Sequence, residues 1–289
     1  MTSKNFDRTT QGKIAQFRFF DEPVVWVEGE TDYPIYEQLL GKMGCKTLWA
    51  GGKPECWKLV EAMIADDLPY VVVLDGDYEI LRRRKSYHRR ALLLGRYAIE
   101  NYCAEIGLVQ NVCRRYSYGK VVVGDVGSRF GRLLDRIEGE LMDLVILDIA
   151  LAQVGGKDGK GVLAGNVRRI LEVGVPLMVD REKVKHLVAQ KDRDGFEKEK
   201  DEARELLNRF VGRKRFVDIL KGSWAFGLIY HFIASELQNV KITMRMDKRE
   251  LRVALGAEMW VEDRSRDHRS LRRRLKTAVR EVKRMRRLR

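Results

Sequence analysis

In the stretch VVWVEGETDYPIYEQLL, residues 24 to 40, three acids in five positions follow a β-branched apolar run. Glu28, Glu30 and Asp32 repel one another there unless a cation shares the space. A second apolar run, PYVVVLDGD, ends on Asp75 and Asp77 around Gly76. Hard divalent cations such as Mg²⁺ take oxygen ligands, and phosphoryl transfer uses them to offset charge on the attacking and leaving oxygens. If the two strands are near neighbours, Glu28, Asp32, Asp75 and Asp77 converge on a site for one or two ions, with Gly76 letting the backbone turn tightly. The competing reading of Asp32 is a helix cap, because an acid placed just after a strand can cap the helix that follows. Glu30 reads as a solvated neighbour.

The elements that would position these acids follow from hydrophobic pattern. PVVWVEG reads as a buried strand, and DYPIYEQLLGKM as a helix carrying Ile35, Leu39, Leu40 and Met43 on one face, closed by Gly44. KTLWAGG is a second strand and turn, a helix follows from Glu55 to about Ala65, PYVVVLDGD is a third strand, and ALLLG from Ala91 adds a fourth. Strands alternating with helices through short connections predict an α/β fold, a parallel sheet flanked by helices, whose ligands sit outside the carboxyl ends of the strands. Beyond Asp125 the pattern turns helical: FGRLLDRIEGELMDLVILDIALAQ is a long helix broken by VGGKDGKG. Further helices are expected over Val162–Val173, Arg181–Ala189 and Asp194–Phe210, and a buried helix pair from Phe216. The expected division is 1–125 as the metal-binding core, 126–263 as a mostly helical elaboration and 264–289 as a basic tail.

Other chemistries find little support. Neither GGKPEC nor GGKDGKG has the spacing of a phosphate-binding P-loop, and no HExxH, nucleophile elbow or zinc-type His/Cys spacing occurs. The four cysteines form no CxxC pair and read as reduced packing residues. The polar N-terminal run lacks an apolar leader region, and the most apolar window, WAFGLIYHFIA, is too short for a bilayer, so a cytoplasmic protein with no membrane partner is expected.

Charge is concentrated. The chain carries a net +14, of which residues 264 to 289, with 13 basic and 2 acidic side chains, contribute +11. Leu271, Leu275, Ala278, Val279, Val282 and Met285 recur at three and four within that tail, predicting an amphipathic helix with a cationic face that includes Arg272, Arg273 and Arg274. A second cluster, Arg82, Arg83, Arg84, Lys85, Arg89 and Arg90, follows the DGD acids. Such patches suit a polyanion, and nucleic acid is the common one; the tail could equally dock on an acidic partner.

Three short motifs in order carry a family resemblance. EGxTD at Glu28, Gly29, Thr31 and Asp32, then the apolar strand ending in DGD at Asp75–Asp77, resemble the TOPRIM domain shared by topoisomerases, bacterial primases and OLD-type nucleases. RYAIENY at Arg96–Tyr102 resembles an element of the TOPRIM-like nuclease family found with ABC-class ATPases in phage defence, the AriB-type subunits of PARIS systems. The likeness spans roughly residues 20 to 110, with FVDILKGSW as a later element.

That resemblance implies a Mg²⁺-dependent (or Mn²⁺-dependent) nuclease cleaving RNA, specifically tRNA, once released from its partner ATPase, and then pairing with a second copy. It makes Glu28 the central ligand or acid/base group, Asp75 and Asp77 the principal ligands, Asp32 a supporting one, Glu100 a further carboxylate for a second metal and Lys221 a cation facing the scissile phosphate. On the residues alone Glu100 could be a surface acid paired with Arg96, and Lys221 a helix-end cation. A non-catalytic nucleic-acid-binding or regulatory subunit that retains the TOPRIM shape is the alternative function.

Overall fold

VVWV at Val24–Val27 and YVVVL at Tyr70–Leu74 are strands with every residue buried, as β-branched runs covered on two faces should be. The computed structural model describes residues 9–82, 86–154, 162–163, 165–172, 174, 177–192, 196–261 and 265–288. In chain order the elements are α1 (Thr10–Phe17), β1 (Val24–Val27), α2 (Tyr33–Gly41), β2 (Lys46–Trp49), α3 (Lys53–Ala65), β3 (Tyr70–Leu74), β4 (Ala91–Leu93), α4 (Ile99–Tyr102), α5 (Ile106–Tyr116) and α6 (Val123–Gln153). There follow β5 (Leu171–Glu172), β6 (Met178–Val179), α7 (Arg181–Lys191), α8 (Glu197–Val211), α9 (Gly222–Asn239), α10 (Lys248–Val261) and α11 (Arg266–Arg287). Among the described residues no helix is long and apolar enough to cross a membrane.

The chain forms two compact units. The first comprises the described residues of Met1–Gly76, Lys85–Gly95 and Lys248–Arg289; the second those of Asp77–Arg84 and Arg96–Asp247. This division runs across the boundaries at 125 and 263 read from composition, because α10 packs on α2 and α11 on β3. The tail is therefore part of the sheet unit.

In the first unit the sheet is parallel, in the order β2-β1-β3-β4. The chain steps from β1 to β2 in one direction and then back across β1 to β3. Right-handed crossovers consequently put α2 and α3 on opposite faces. Val24, Trp26, Leu48, Tyr70, Val72 and Leu74 point to the α3 face, where they cluster with Phe17 of α1 and with Cys56, Leu59, Val60 and Met63. Val25, Val27, Val71 and Val73 alternate to the other face and are equally buried. Each such Val or Leu stabilises the fold by ~1.5–3 kcal/mol, so a register slip would be costly.

α11 behaves as its pattern predicts: Leu271, Leu275, Ala278, Val279 and Val282 are buried, and Met285 is half-buried. In the second unit the 31-residue α6 packs with α5, α7 and α8, and the buried α9 packs with α4 and α5. Two expected helices do not form. Over Val162–Val173 the described residues give a 3-10 turn at Val167–Ile170 and the strand β5, because Gly165 takes φ 96° and Asn166 caps the turn through its side chain. The expected pair after Phe216 is a 3-10 turn at Phe216–Asp218 and one helix, α9, since the Asp218 carboxylate turns back to accept from the Arg215 N–H.

Three outcomes are expected. Gly256 of α10 lies so close to α2 that a Cβ would come within 2.9 Å of the Ile35 backbone, whereas one on Gly139 of α6 meets nothing within 4 Å. In urea titrations Gly256→Ala should lower stability by ~1–3 kcal/mol, and Gly139→Ala should raise it by ~0.5–1 kcal/mol. Lys58 and Lys13 pull the Glu55 carboxyl down from 4.5 to about 2, and the Lys13 amine is itself buried. The stabilisation this gives is complete above about pH 4.5 and is lost as pH falls toward about 2. Glu55→Gln should therefore flatten the acid limb of a thermal-stability profile over that window.

Candidate metal and nucleic-acid site

β1 and β3 are hydrogen-bonded neighbours with Trp26 beside Val72, so their carboxyl ends emerge side by side. Glu28 follows β1 and Asp75 follows β3. The Asp75 backbone N–H donates to Glu28 Oε2 over 3.4 Å, a long hydrogen bond that brings the two acids together across 47 residues of sequence. Burial, and after it the fields of the Glu28 and Asp75 carboxylates, pushes the Cys56 thiol far up. Three side chains from three elements thus share one corner of the first unit.

The GGK segment has a structural role there. Gly51 and Gly52 take φ 93° and 113°, and both N–H groups donate to the Glu28 carbonyl, at 3.2 and 2.9 Å. This turn carries Lys53 back so that its amine donates to the Asp75 carbonyl at 3.3 Å. Asp32 is buried at the N-cap position of α2, yet its side chain makes no capping hydrogen bond. It accepts from the Thr31 hydroxyl at 3.3 Å and folds back over Gly29, where a Cβ would come within 2.8 Å of its Oδ2. The capping role does not account for this acid. Glu30 is exposed, as expected.

The second unit holds the remaining candidates. Asp77 takes φ 43°, a left-handed conformation that aspartate tolerates better than most residues, and its N–H donates to the Tyr97 carbonyl at 2.9 Å. The adjacent Tyr78 hydroxyl donates to Asp148 Oδ2 at 2.5 Å, and the Leu163 N–H donates to Asp148 Oδ1 at 2.8 Å. Glu100 is 4% exposed and buried against the start of α9. A Cβ on Gly222 would come within 2.7 Å of a Glu100 carboxylate oxygen, which places that acid beside Lys221, the partly buried N-cap residue of α9.

A polar clasp fixes this neighbourhood. Asn101 donates to the Val217 and Leu220 carbonyls at 2.6 and 2.7 Å and accepts from the Ala98 N–H. Arg96 pairs with Glu105 at 2.5 Å and Asp218 at 3.3 Å, and Arg215 pairs with the same two acids. Burial alone would lower the Arg96 guanidinium, but Asp218 and Glu105 outweigh it and hold it above the ordinary arginine range. Asn101, Asp148, Asp218 and Lys53 were not singled out from sequence; Asp148, a lone acid within the apolar run LVILDIALA, carried the clearest signal.

The basic candidates separate by burial. Arg90 is 2% exposed, with its guanidinium on the Leu68 carbonyl and on Asp67, each at 2.5 Å, and near Glu281, so it serves the fold and not a polyanion. Arg82, Arg89 and Arg273 are exposed, Arg89 lying 3.6 Å from Glu281, while Arg272 is half-buried. Half-buried Arg274 donates to the Leu93 carbonyl at 2.7 Å and to Ser86 Oγ. Arg83, Arg84 and Lys85 lie outside the described residues.

Among the described residues no group of three or more His, Cys, Asp or Glu is gathered tightly enough to enclose a metal ion. Glu28 and Asp75 do supply the oxygen donors that Mg²⁺ takes from proteins, since that ion is commonly held by one or two carboxylates and retains several waters. The pair fits such an ion, while among the described residues no closed protein cage forms. No protein-family model matches the chain, and no curated protein matches it.

Gly222→Ala tests the seating of Glu100. The added methyl would lie 2.7 Å from Ala98 Cβ and from the carboxylate, so α4 must shift. Urea unfolding followed by tryptophan fluorescence should show a loss of ~1–3 kcal/mol.

Proposed function

We propose that this protein is a divalent-metal-dependent nuclease of TOPRIM type, acting on RNA. The observation that carries the reading is the meeting of Glu28 and Asp75 at adjacent strand ends of a parallel sheet, where the amide of one holds the carboxylate of the other. Glu28 and Asp75 would hold Mg²⁺ or Mn²⁺. When bound, such an ion stabilises charge on the phosphate oxygens and lowers the pKa of its water. The chain's own part is positional. The glycine turn fixes the Glu28 backbone, Lys53 fixes the carbonyl of Asp75, and Asp32 adds a buried carboxylate beside the same loop.

Further metal ligation by Asp77 and Glu100, and the action of Lys221 on the scissile phosphate, rest on the family resemblance. So do tRNA as substrate, the ABC-class ATPase partner, release and self-pairing, and a role in phage defence. Among the described residues Glu28 and Asp75 have no third acid, histidine or cysteine gathered with them tightly enough to hold an ion, and this favours a second reading, a nucleic-acid-binding subunit that does not cleave.

The deciding experiment incubates purified protein with total tRNA and with plasmid DNA, in Mg²⁺ and in EDTA, beside Glu28→Gln. Cleavage of tRNA in Mg²⁺ that falls to background in EDTA and in the variant is the expected result. Cleavage indifferent to Glu28→Gln would overturn it, and tight salt-sensitive binding without cleavage would establish the second reading.

A further inference from the structure

α11 sorts its residues into faces. Its buried side is apolar apart from His268, and the exposed side carries Arg266, Arg269, Arg273, Lys276, Arg280, Lys283, Arg284 and Arg287. Arg266, Arg273, Arg280 and Arg287 recur every seventh residue, and Arg269, Lys276 and Lys283 form a second row at the same interval. A seven-residue repeat drifts only ~20° per heptad on a straight helix. The two rows therefore run nearly parallel to the axis, over about 30 Å at 1.5 Å per residue. Among the described residues Arg266, Arg273, Arg280, Arg284 and Arg287 have no ion-pair partner.

The direction of the helix is fixed by its own contacts within the first unit. Arg274 donates to the Leu93 carbonyl at the carboxyl end of β4. Lys283 donates to the Met43 carbonyl before β2, and Arg286 to the Phe20 and Asp21 carbonyls before β1. α11 therefore runs antiparallel to the strands. Arg266, Arg269 and Arg273 stand toward the sheet edge that bears Glu28 and Asp75, and the rows lead away from it.

We propose that this double row is a track for the phosphate backbone of a nucleic acid, with one end at the Glu28–Asp75 edge. It deepens the nuclease reading, and rests on it only for what happens at that end. An acidic protein partner fits less well. Protein interfaces close around an apolar or aromatic centre, and every exposed residue of α11 itself is a cation except Thr277. Six of the eight cations are arginine, whose planar fork matches phosphate oxygens. The contact surface differs from the one expected from sequence, since Arg274 is turned to the sheet and Arg272 is half-buried.

The test measures binding in EDTA, so that cleavage plays no part and a failed nuclease assay leaves the result readable. Fluorescence anisotropy with a labelled 30-nucleotide RNA, and with a duplex of the same sequence, is followed across monovalent salt for the full chain. In one variant Arg266, Arg273, Arg280 and Arg287 become Gln; in a second the same four become Lys. A third changes Lys183, Lys185, Lys191 and Lys198 of the second unit to Gln, an equal loss of charge.

The first variant should bind at least tenfold more weakly at 100 mM salt. Its log affinity against log salt should flatten by about 3 for the single strand, at ~0.7 per phosphate contact, or by nearer 4 for the duplex. The Lys variant should retain most of the binding, and the third should match the wild type. Wild-type binding by the first variant, or an equal loss in the third, overturns the proposal. So does a polyglutamate peptide of matched charge that competes as well as RNA, which would assign the face to an acidic protein.

Discussion

A parallel sheet whose crossovers are all right-handed has few ways to turn back on itself. When β2 forms on one side of β1 and β3 on the other, α2 and α3 must leave in opposite directions, and the strand ends between them stay uncovered by either helix. The first unit places Glu28 and Asp75 at that reversal. Elsewhere on the sheet two adjacent acids would be a repulsive defect. Here they face an edge that water and cations can reach, and the residues behind them are rigid: fully buried strands, a turn with two left-handed glycines, and a lysine on the Asp75 carbonyl.

The second unit solves a different problem, which is to hold charged groups inside a helical assembly. Arg96, Arg215, Glu105 and Asp218 form a neutral set of two cations and two acids, and Asn101 satisfies two carbonyls of the loop that ends at Lys221. Removing water from such groups is costly, and mutual pairing offsets the cost only when the geometry is tight. The benefit is specificity: Glu100 and the start of α9 have one relative placement, which Gly222 tolerates because it lacks a side chain.

Much of this was legible in the residues. The four strands and their parallel arrangement follow from continuous apolar runs alternating with helical periods, since such runs need cover on both faces. The amphipathic tail was equally plain from its spacing at three and four. What periodicity could not reveal was pairing at a distance. Nothing local to the run Arg82–Arg90 marks Arg90 as the member that turns inward to Asp67 and the Leu68 carbonyl, and nothing local to RYAIENY joins Arg96 to Asp218, more than a hundred residues away. After Val162 the hydrophobic content suggests a helix, whereas Gly165, at φ 96°, adopts a backbone conformation that ends one. α10 belongs to none of the expected elements, and Gly256 marks where it packs against α2.

The placement of α11 also bears on the order in which the protein can assemble. The strands emerge early in synthesis, whereas α10 and α11, which complete their unit, are translated only after the whole of the second one. Until then the face that α2 covers lacks the packing of α11 on β3, a situation that favours slow, topologically distant closure. A nascent chain thus carries its acids long before it carries the cationic helix that completes the same unit.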